Sequence, residues 1–399
     1  MSIVSKLFFS VVLSAVLSCS YAQEKSVAKL PDRIMLTWSD NPASTQSVTW
    51  RADATVDRFV GQVVEEESSP DLEEKARSVS GTFLSLDRGA GQQDKYGRVT
   101  FTNLKPGTVY AYRVGDGEHW SAWNQFRTAD ISGDFSFIYL GDAQNDLRSR
   151  WSRSIRRAFQ QTPDARFIMH AGDLINRSNT DSEWGEWYEA AGFIHQMIPA
   201  VPTPGNHEYT RDSLRQLVLD PHWKVQFDLP TNGPLNLQDA VYYLDYQDLR
   251  VISLNSQLIM LDSVVAETQA RWLEEVLATS TKKWNVVLMH HPVYSTAKNR
   301  DNTILRERFK PIFEKYGVDL VLQGHDHTYA RGTAGRERPV YLLSVAGPKM
   351  YDSDSDRWME VSASRTQLYQ VIRVTDDKLH FSSYKLNGQL FDSFELQKK

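Results

Sequence analysis

A chain of 399 residues is too long for one small hydrophobic core, and two domains are the natural expectation. Apolar residues at 41% and charged residues at 24% are ordinary for a globular protein. The net charge of −5, with no basic block, excludes the electrostatic footprint of a nucleic-acid binder.

The chain opens with Lys6, an apolar run from Leu7 to Leu17, and the small residues of Ser20-Tyr21-Ala22. This pattern predicts a secretory signal over residues 1–22 and an exported protein, periplasmic or secreted. The apolar run is shorter than the roughly 20 residues a membrane-spanning helix needs. No later stretch is long and apolar enough to cross a membrane. A competing reading rests on Val16-Leu17-Ser18-Cys19, which resembles the lipobox of bacterial lipoproteins and makes Cys19 a lipid attachment site. Cys19 is the only cysteine, so the exported part has no internal disulfide and no thiolate ligand. A metal site must use His, Asp, Glu, Asn or Gln.

Residues 23–130 predict an all-β domain. Strands are expected at 34–38, 46–50, 99–104 and 109–114, separated by turns such as Asp40-Asn41-Pro42 and Lys105-Pro106-Gly107. Residues 64–76 are acidic and polar, an exposed edge or loop. Short strands at this spacing suggest a sandwich. The run from Leu104 to Tyr110 resembles the corner of fibronectin type III domains, where a Tyr hydroxyl closes back on the backbone. His119 and Trp120 sit in a loop with no ligand role expected.

From residue 131 to 399 the pattern becomes α/β. Strands are expected at 135–140, 167–170, 198–201, 251–255, 284–290, 318–322 and 340–345. Helices are expected at 149–160, around 184–188, at 268–277 and at 303–316. The last stretch, 368–396, alternates as strands that close a sheet edge.

Nearly every unexplained polar residue follows one of these strands. The runs are Gly141-Asp142-Ala143-Gln144, Gly172-Asp173, Gly205-Asn206-His207-Glu208, His290-His291-Pro292 and Gly324-His325-Asp326-His327. Loops at the carboxyl ends of strands in such sheets converge on the ligand site, so five of them imply one shared site. Extended backbone would send His325 and His327 to the same side. Imidazole and oxygen donors without thiolate favour Mn, Fe or Zn. Two such ions need a bridging carboxylate, and a pair can activate water against a phosphate ester.

This order of motifs resembles the calcineurin-like metallophosphoesterase superfamily, and the leading β-domain makes it most similar to the purple acid phosphatase branch. The resemblance implies a fibronectin type III-like sandwich followed by an α/β/β/α four-layer domain, holding two divalent ions. It makes Asp173 the bridge, gives Asp142 and His327 to the first ion, and gives Asn206, His290 and His325 to the second. His207 becomes the proton donor or phosphate contact, and Arg177, Tyr329 and Arg331 become substrate contacts. His291 is a neighbour, His170 a satisfied histidine near the site, and Asp326 a residue turned away from the metals. Two positions depart from the family. Asn176 stands where purple acid phosphatases carry the iron-binding tyrosine, and Gln144 where other branches carry a histidine. A Gln144 amide oxygen or a water would complete the first ion. By formal count two divalent ions, two carboxylates and a hydroxide leave the site about one unit positive, which suits phosphate. A colourless enzyme is therefore expected. The function implied is an exported phosphomonoesterase acting by in-line attack of metal-bound hydroxide on a phosphorylated small molecule. A phosphodiesterase on the same core is the alternative, and a non-catalytic binding protein of this fold is less favoured.

Overall fold

The computed structural model describes residues 30–89, 91–354 and 358–398. The proposed signal at 1–22 and Cys19 lie outside the described residues. Among the described residues no helix is long and apolar enough to cross a membrane.

The N-terminal part is a sandwich of two four-stranded antiparallel sheets. One orders its strands Asp32–Thr37, Gln46–Ala52, Gln92–Phe101 and Thr82–Gly89. The other orders Arg77–Ser80, Val60–Glu65, Val109–Gly115 and Asn124–Arg127. Alternate residues of both sheets meet in one core that includes Val48, Trp50, Phe101, Tyr112 and Phe126. The expected corner is present, with the Lys105 backbone N–H donating to the Tyr110 hydroxyl at 2.8 Å. The strands at 77–80 and 82–89 carry mostly exposed residues, so their sequences lack the apolar alternation that marks a half-buried strand.

Two further sheets stack face to face in the remainder. The seven-stranded sheet orders Tyr242–Tyr246, Leu249–Leu254, Trp284–Met289, Leu320–Gln323, Val340–Leu343, Tyr329–Gly332 and Val361–Ala363. The six-stranded sheet orders Ala200–Pro202, Ile168–His170, Phe135–Leu140, Leu368–Val374, Lys378–Lys385 and Leu390–Gln397. Val286, Leu288, Leu320 and Leu322 point to the inner core between the sheets. Their neighbours Val287, Met289 and Val321 point outward, under the helices Ser263–Ala278 and Lys310–Lys315. Burial on both faces explains why these strands read as continuous apolar runs. The helices Ser152–Gln161 and Asp181–Ala191 cover the six-stranded sheet with Ile155, Ala158, Trp184 and Trp187. The result is four layers, helix, sheet, sheet and helix.

Strands Phe135–Leu140, Ile168–His170 and Ala200–Pro202 run parallel, as do Leu249–Leu254, Trp284–Met289, Leu320–Gln323 and Val340–Leu343. Their carboxyl ends meet at one edge of the stack. There the Tyr139 hydroxyl donates to the Gln323 carbonyl and accepts from the Gln323 N–H at 3.1 Å, tying one sheet to the other. The Thr203 hydroxyl donates to the Leu254 carbonyl at 3.1 Å and adds a second tie.

Candidate metal centre

Five loops leave this edge, and their close approach requires small residues. Gly172 has φ +82°, and a Cβ there would lie 2.5 Å from the Gly205 nitrogen and 2.8 Å from His290 Nδ1. A Cβ on Gly324 would lie 2.4 Å from Asp142 Oδ2. Glycine is what lets each neighbouring functional side chain fit. Three of those neighbours also hold positive φ, namely Asp173 at 51°, His325 at 78° and His327 at 51°. Strain of this kind persists only where the surroundings fix it, and it concentrates at functional sites. The extended geometry expected for Gly324 to His327 is therefore corrected. The strand ends at Gln323, and the two histidines lie in a bend that sends them to different groups.

Those groups are Asp173 with His290 and His325, and Asp142 with Asp173 and His327. In each, one donor atom per residue lies within 4.8 Å of the others, and Asp173 belongs to both. His290 Nδ1 faces the Ala171 carbonyl at 2.8 Å, so that nitrogen carries the proton and Nε2 faces Asp173 Oδ2 at 3.2 Å. His327 Nδ1 faces the Lys349 carbonyl at 2.8 Å, which frees its Nε2 in the same way. His325 Nδ1 lies 3.1 Å from His290 Nε2, and Asn206 Oδ1 lies 3.2 Å from it. Carbonyl groups holding the far nitrogen of an imidazole are the usual support of a metal ligand.

The charges are unbalanced without a cation. Asp142 and Asp173 are almost wholly buried. Asp142 Oδ2 accepts the His325 N–H at 2.8 Å, but Oδ1 has no hydrogen-bond partner. Burial pushes the Asp142 carboxyl well up. Burial acts the same way on Asp173, but His290, His207 and His325 outweigh it and hold that carboxyl below the usual range. His290 is pushed up to about 9, because Asp173 and Asp142 outweigh its own burial. Two buried carboxylates, a partnerless oxygen and three clustered imidazoles fit the binding of metal ions.

Residues 132–329 match the family described as calcineurin-like phosphoesterase, and residues 31–128 match the family described as purple acid phosphatase, N-terminal domain. The chain belongs to the calcineurin-like phosphoesterases. It is similar to acid phosphatase type 7 of Mus musculus, 26% identical over 326 residues that cover 75% of this chain and 70% of that one. Purple acid phosphatase 15 of Arabidopsis thaliana is 25% identical over 63% of this chain and 51% of its own length. Among solved structures, the purple acid phosphatase PPD1 from yellow lupin shares the fold with a TM-score of 0.76 at 17% identity, covering 92% of this chain and 74% of that one. The structure of PhoD follows the fold with a TM-score of 0.65 at 12% identity, covering 93% of this chain and 91% of that one.

This phosphoesterase places its other sequence-predicted residues unequally. His207 Nδ1 donates to the Asn176 carbonyl at 2.5 Å, leaving Nε2 facing the site, 3.9 Å from Asp173 Oδ2. Gln144 lies beside the first group, but its oxygen accepts from Lys349 Nζ at 3.2 Å while its NH2 donates to Asp173 Oδ2 at 2.8 Å. A Gln144 oxygen ligand is not what this orientation offers. Arg177 is exposed and paired with Glu183 at 2.8 Å. Tyr329 and Arg331 do not line a substrate surface. Tyr329 is fully buried with its hydroxyl on Asp392 at 2.7 Å, and Arg331 pairs with Asp392 and Glu360. His170 is no ligand of either group, but its Nε2 is unpartnered rather than satisfied, among Trp151, Trp187 and His195. Burial lowers it to about 3, so it stays neutral. Asp326 turns away as expected, to Ser295, Thr296 and Arg300.

Two contributors escaped the sequence reading. Glu208, quoted as part of a motif without a role, accepts backbone N–H groups from Asp173 at 2.9 Å, Gly205 at 2.6 Å and Leu174 at 2.7 Å. It fixes the turn that aims Asp173. Lys349 carried no motif at all.

Proposed function

We propose that this phosphoesterase is an exported phosphomonoesterase with a centre of two divalent ions, Mn, Zn or Fe(II). The observation that carries this reading is the pair of carboxylate and imidazole groups sharing Asp173, with Asp142 Oδ1 left without a partner. Asp173 would bridge, Asp142 and His327 would hold the first ion, and Asn206, His290 and His325 the second. Bound there, such a pair polarises phosphoryl oxygens and lowers the pKa of a water between the ions. His207 would give the proton on Nε2 to the leaving oxygen, its ring held for that by the Asn176 carbonyl. The names of the acid phosphatase relatives support monoesters as the substrates. Without a tyrosine at position 176 the iron-loaded protein would show no tyrosinate-to-iron band. Export through residues 1–22, or anchoring through Cys19, is part of the same proposal, and mass spectrometry of the mature N-terminus tests it.

Metal-stripped protein reloaded with Mn, Zn or Fe(II) should hydrolyse an aryl phosphate faster than its bis-aryl diester. The reverse order would favour a phosphodiesterase, and no turnover of either would favour a binding protein. Replacing His207 by Ala should lower kcat by about 10²–10⁴ with metal content unchanged. The loss should be larger for an alkyl phosphate, whose leaving oxygen needs the proton more. An equal loss on both substrates would remove His207 from the role of acid.

A further inference from the structure

The two halves of the centre are not equally ready for a cation, and the difference traces to Gln144 and Lys349. Three contacts fix which way the Gln144 amide points. The Lys349 ammonium can only donate, so the atom 3.2 Å from it is the Gln144 oxygen. The Gln144 NH2 then donates to Asp173 Oδ2 at 2.8 Å. It also lies 3.2 Å from His327 Nε2, which is an acceptor because His327 Nδ1 carries its proton toward the Lys349 carbonyl. Every contact agrees with one orientation. The Gln144 side chain is fully buried, so water does not compete for it. Its NH2 thus occupies two of the three donors that a cation between Asp142, Asp173 and His327 would use, Asp173 Oδ2 and His327 Nε2, and leaves only Asp142 Oδ1 without a partner. On the other side, Asp173, His290, His325 and Asn206 offer four donors, and among the described residues no side-chain amide N–H is bonded to the His290 or His325 ring.

We propose that the Gln144–Lys349 pair makes the Asp142–His327 half of the centre the weaker one, so that the protein binds one divalent ion tightly and a second loosely. Lys349 acts twice. It anchors the amide with its carbonyl turned outward, and its ammonium opposes a cation nearby. The pair are positioning residues, and the proposal rests on the reading of this site as a metal centre.

The test titrates the metal-stripped full chain with Mn²⁺, followed by calorimetry and by electron paramagnetic resonance. The wild type should take one equivalent with an isolated-ion spectrum before a second, weaker equivalent gives a coupled spectrum. Lys349→Met keeps the backbone carbonyl that holds His327 and frees the amide to turn. Gln144→His replaces the donor by a ligand. Each should tighten the second equivalent by about 10- to 100-fold and leave the first unchanged, which also reports an intact fold. Equal affinities in the wild type, or a second equivalent that Lys349→Met does not move, would overturn the proposal. Absence of Mn²⁺ binding, or binding that survives Asp173→Ala, would instead bring down the metal centre itself and this inference with it.

Discussion

Glu208 faces no ion and no substrate, yet three backbone N–H groups converge on its carboxylate. Glu208→Gln keeps the shape but turns an NH2 toward an N–H donor. That should cost about 1–3 kcal/mol, read as a lower Tm, together with reduced metal content as Asp173 loses its aim. His290 makes a second prediction. Its pKa of about 9 in the metal-free protein means that it is protonated at neutral pH. An ion must displace that proton, so metal affinity should rise with pH up to about 9 and then level. Calorimetry in buffers of different ionisation enthalpy would detect the released proton. The candidate ligand positions are legible in sequence because Asp142, Asp173, Asn206, His290 and His325 each sit one step from a glycine or a strand end, and His327 follows two residues after His325. Gln144 was not legible in this sense. The lysine that turns its carbonyl away lies 205 residues later, a distance no local pattern spans. Tyr329 and Arg331 misled for the same reason, since Asp392 claims both from 63 and 61 residues away.

Among the elements, the inner strands were the easiest to read. Runs such as 284–289 are buried on both faces, and nothing but a central strand explains them at that length. The outer strands of the sandwich were missed because their exposed side chains carry no apolar period. The bend at His325 and His327 was also beyond reach. Alternation predicts where a strand runs, whereas positive φ at a non-glycine residue is imposed by packing. The Tyr110 corner was legible through its Pro-Gly turn. Tyr110→Phe removes the bond to the Lys105 N–H and should cost about 1 kcal/mol. Thermal melting should record that loss while metal content stays at the wild-type level. A fall in metal content would mean that the corner reaches the centre.

At the scale of the whole molecule, Asp181 is the seam between sandwich and catalytic layers. Arg33 reaches it at 2.6 and 2.8 Å, Arg51 lies at 3.4 Å, and His222 Nε2 lies at 3.7 Å. Burial pushes the Asp181 carboxyl up, but His222 and Arg33 outweigh it and hold it low. Its contribution is therefore present above the ordinary carboxylate range and lost as pH falls through the depressed value. His222 is lowered by burial but raised overall by Asp181 and Asp220, so its contribution is present below its ordinary 6.5 and lost as pH rises through the raised value. Asp181→Ala leaves the buried Arg33 without its carboxylate, while Arg51 keeps Asp32, and should cost about 3 kcal/mol. The Tm gap between this variant and the wild type should be widest between about pH 4 and about pH 6.5, and narrow on both sides. A gap that is constant with pH would put the seam's strength elsewhere. The same helix carries Glu183, whose carboxylate accepts the Asn176 and Arg177 N–H groups at 2.8 Å each. Asn176 in turn holds the ring of His207. The sandwich thus braces, through this helix, the loop that holds the His207 ring. A chimera carrying a foreign sandwich should load metal normally and turn over slowly, the outcome expected if the two parts are a matched set and not interchangeable modules.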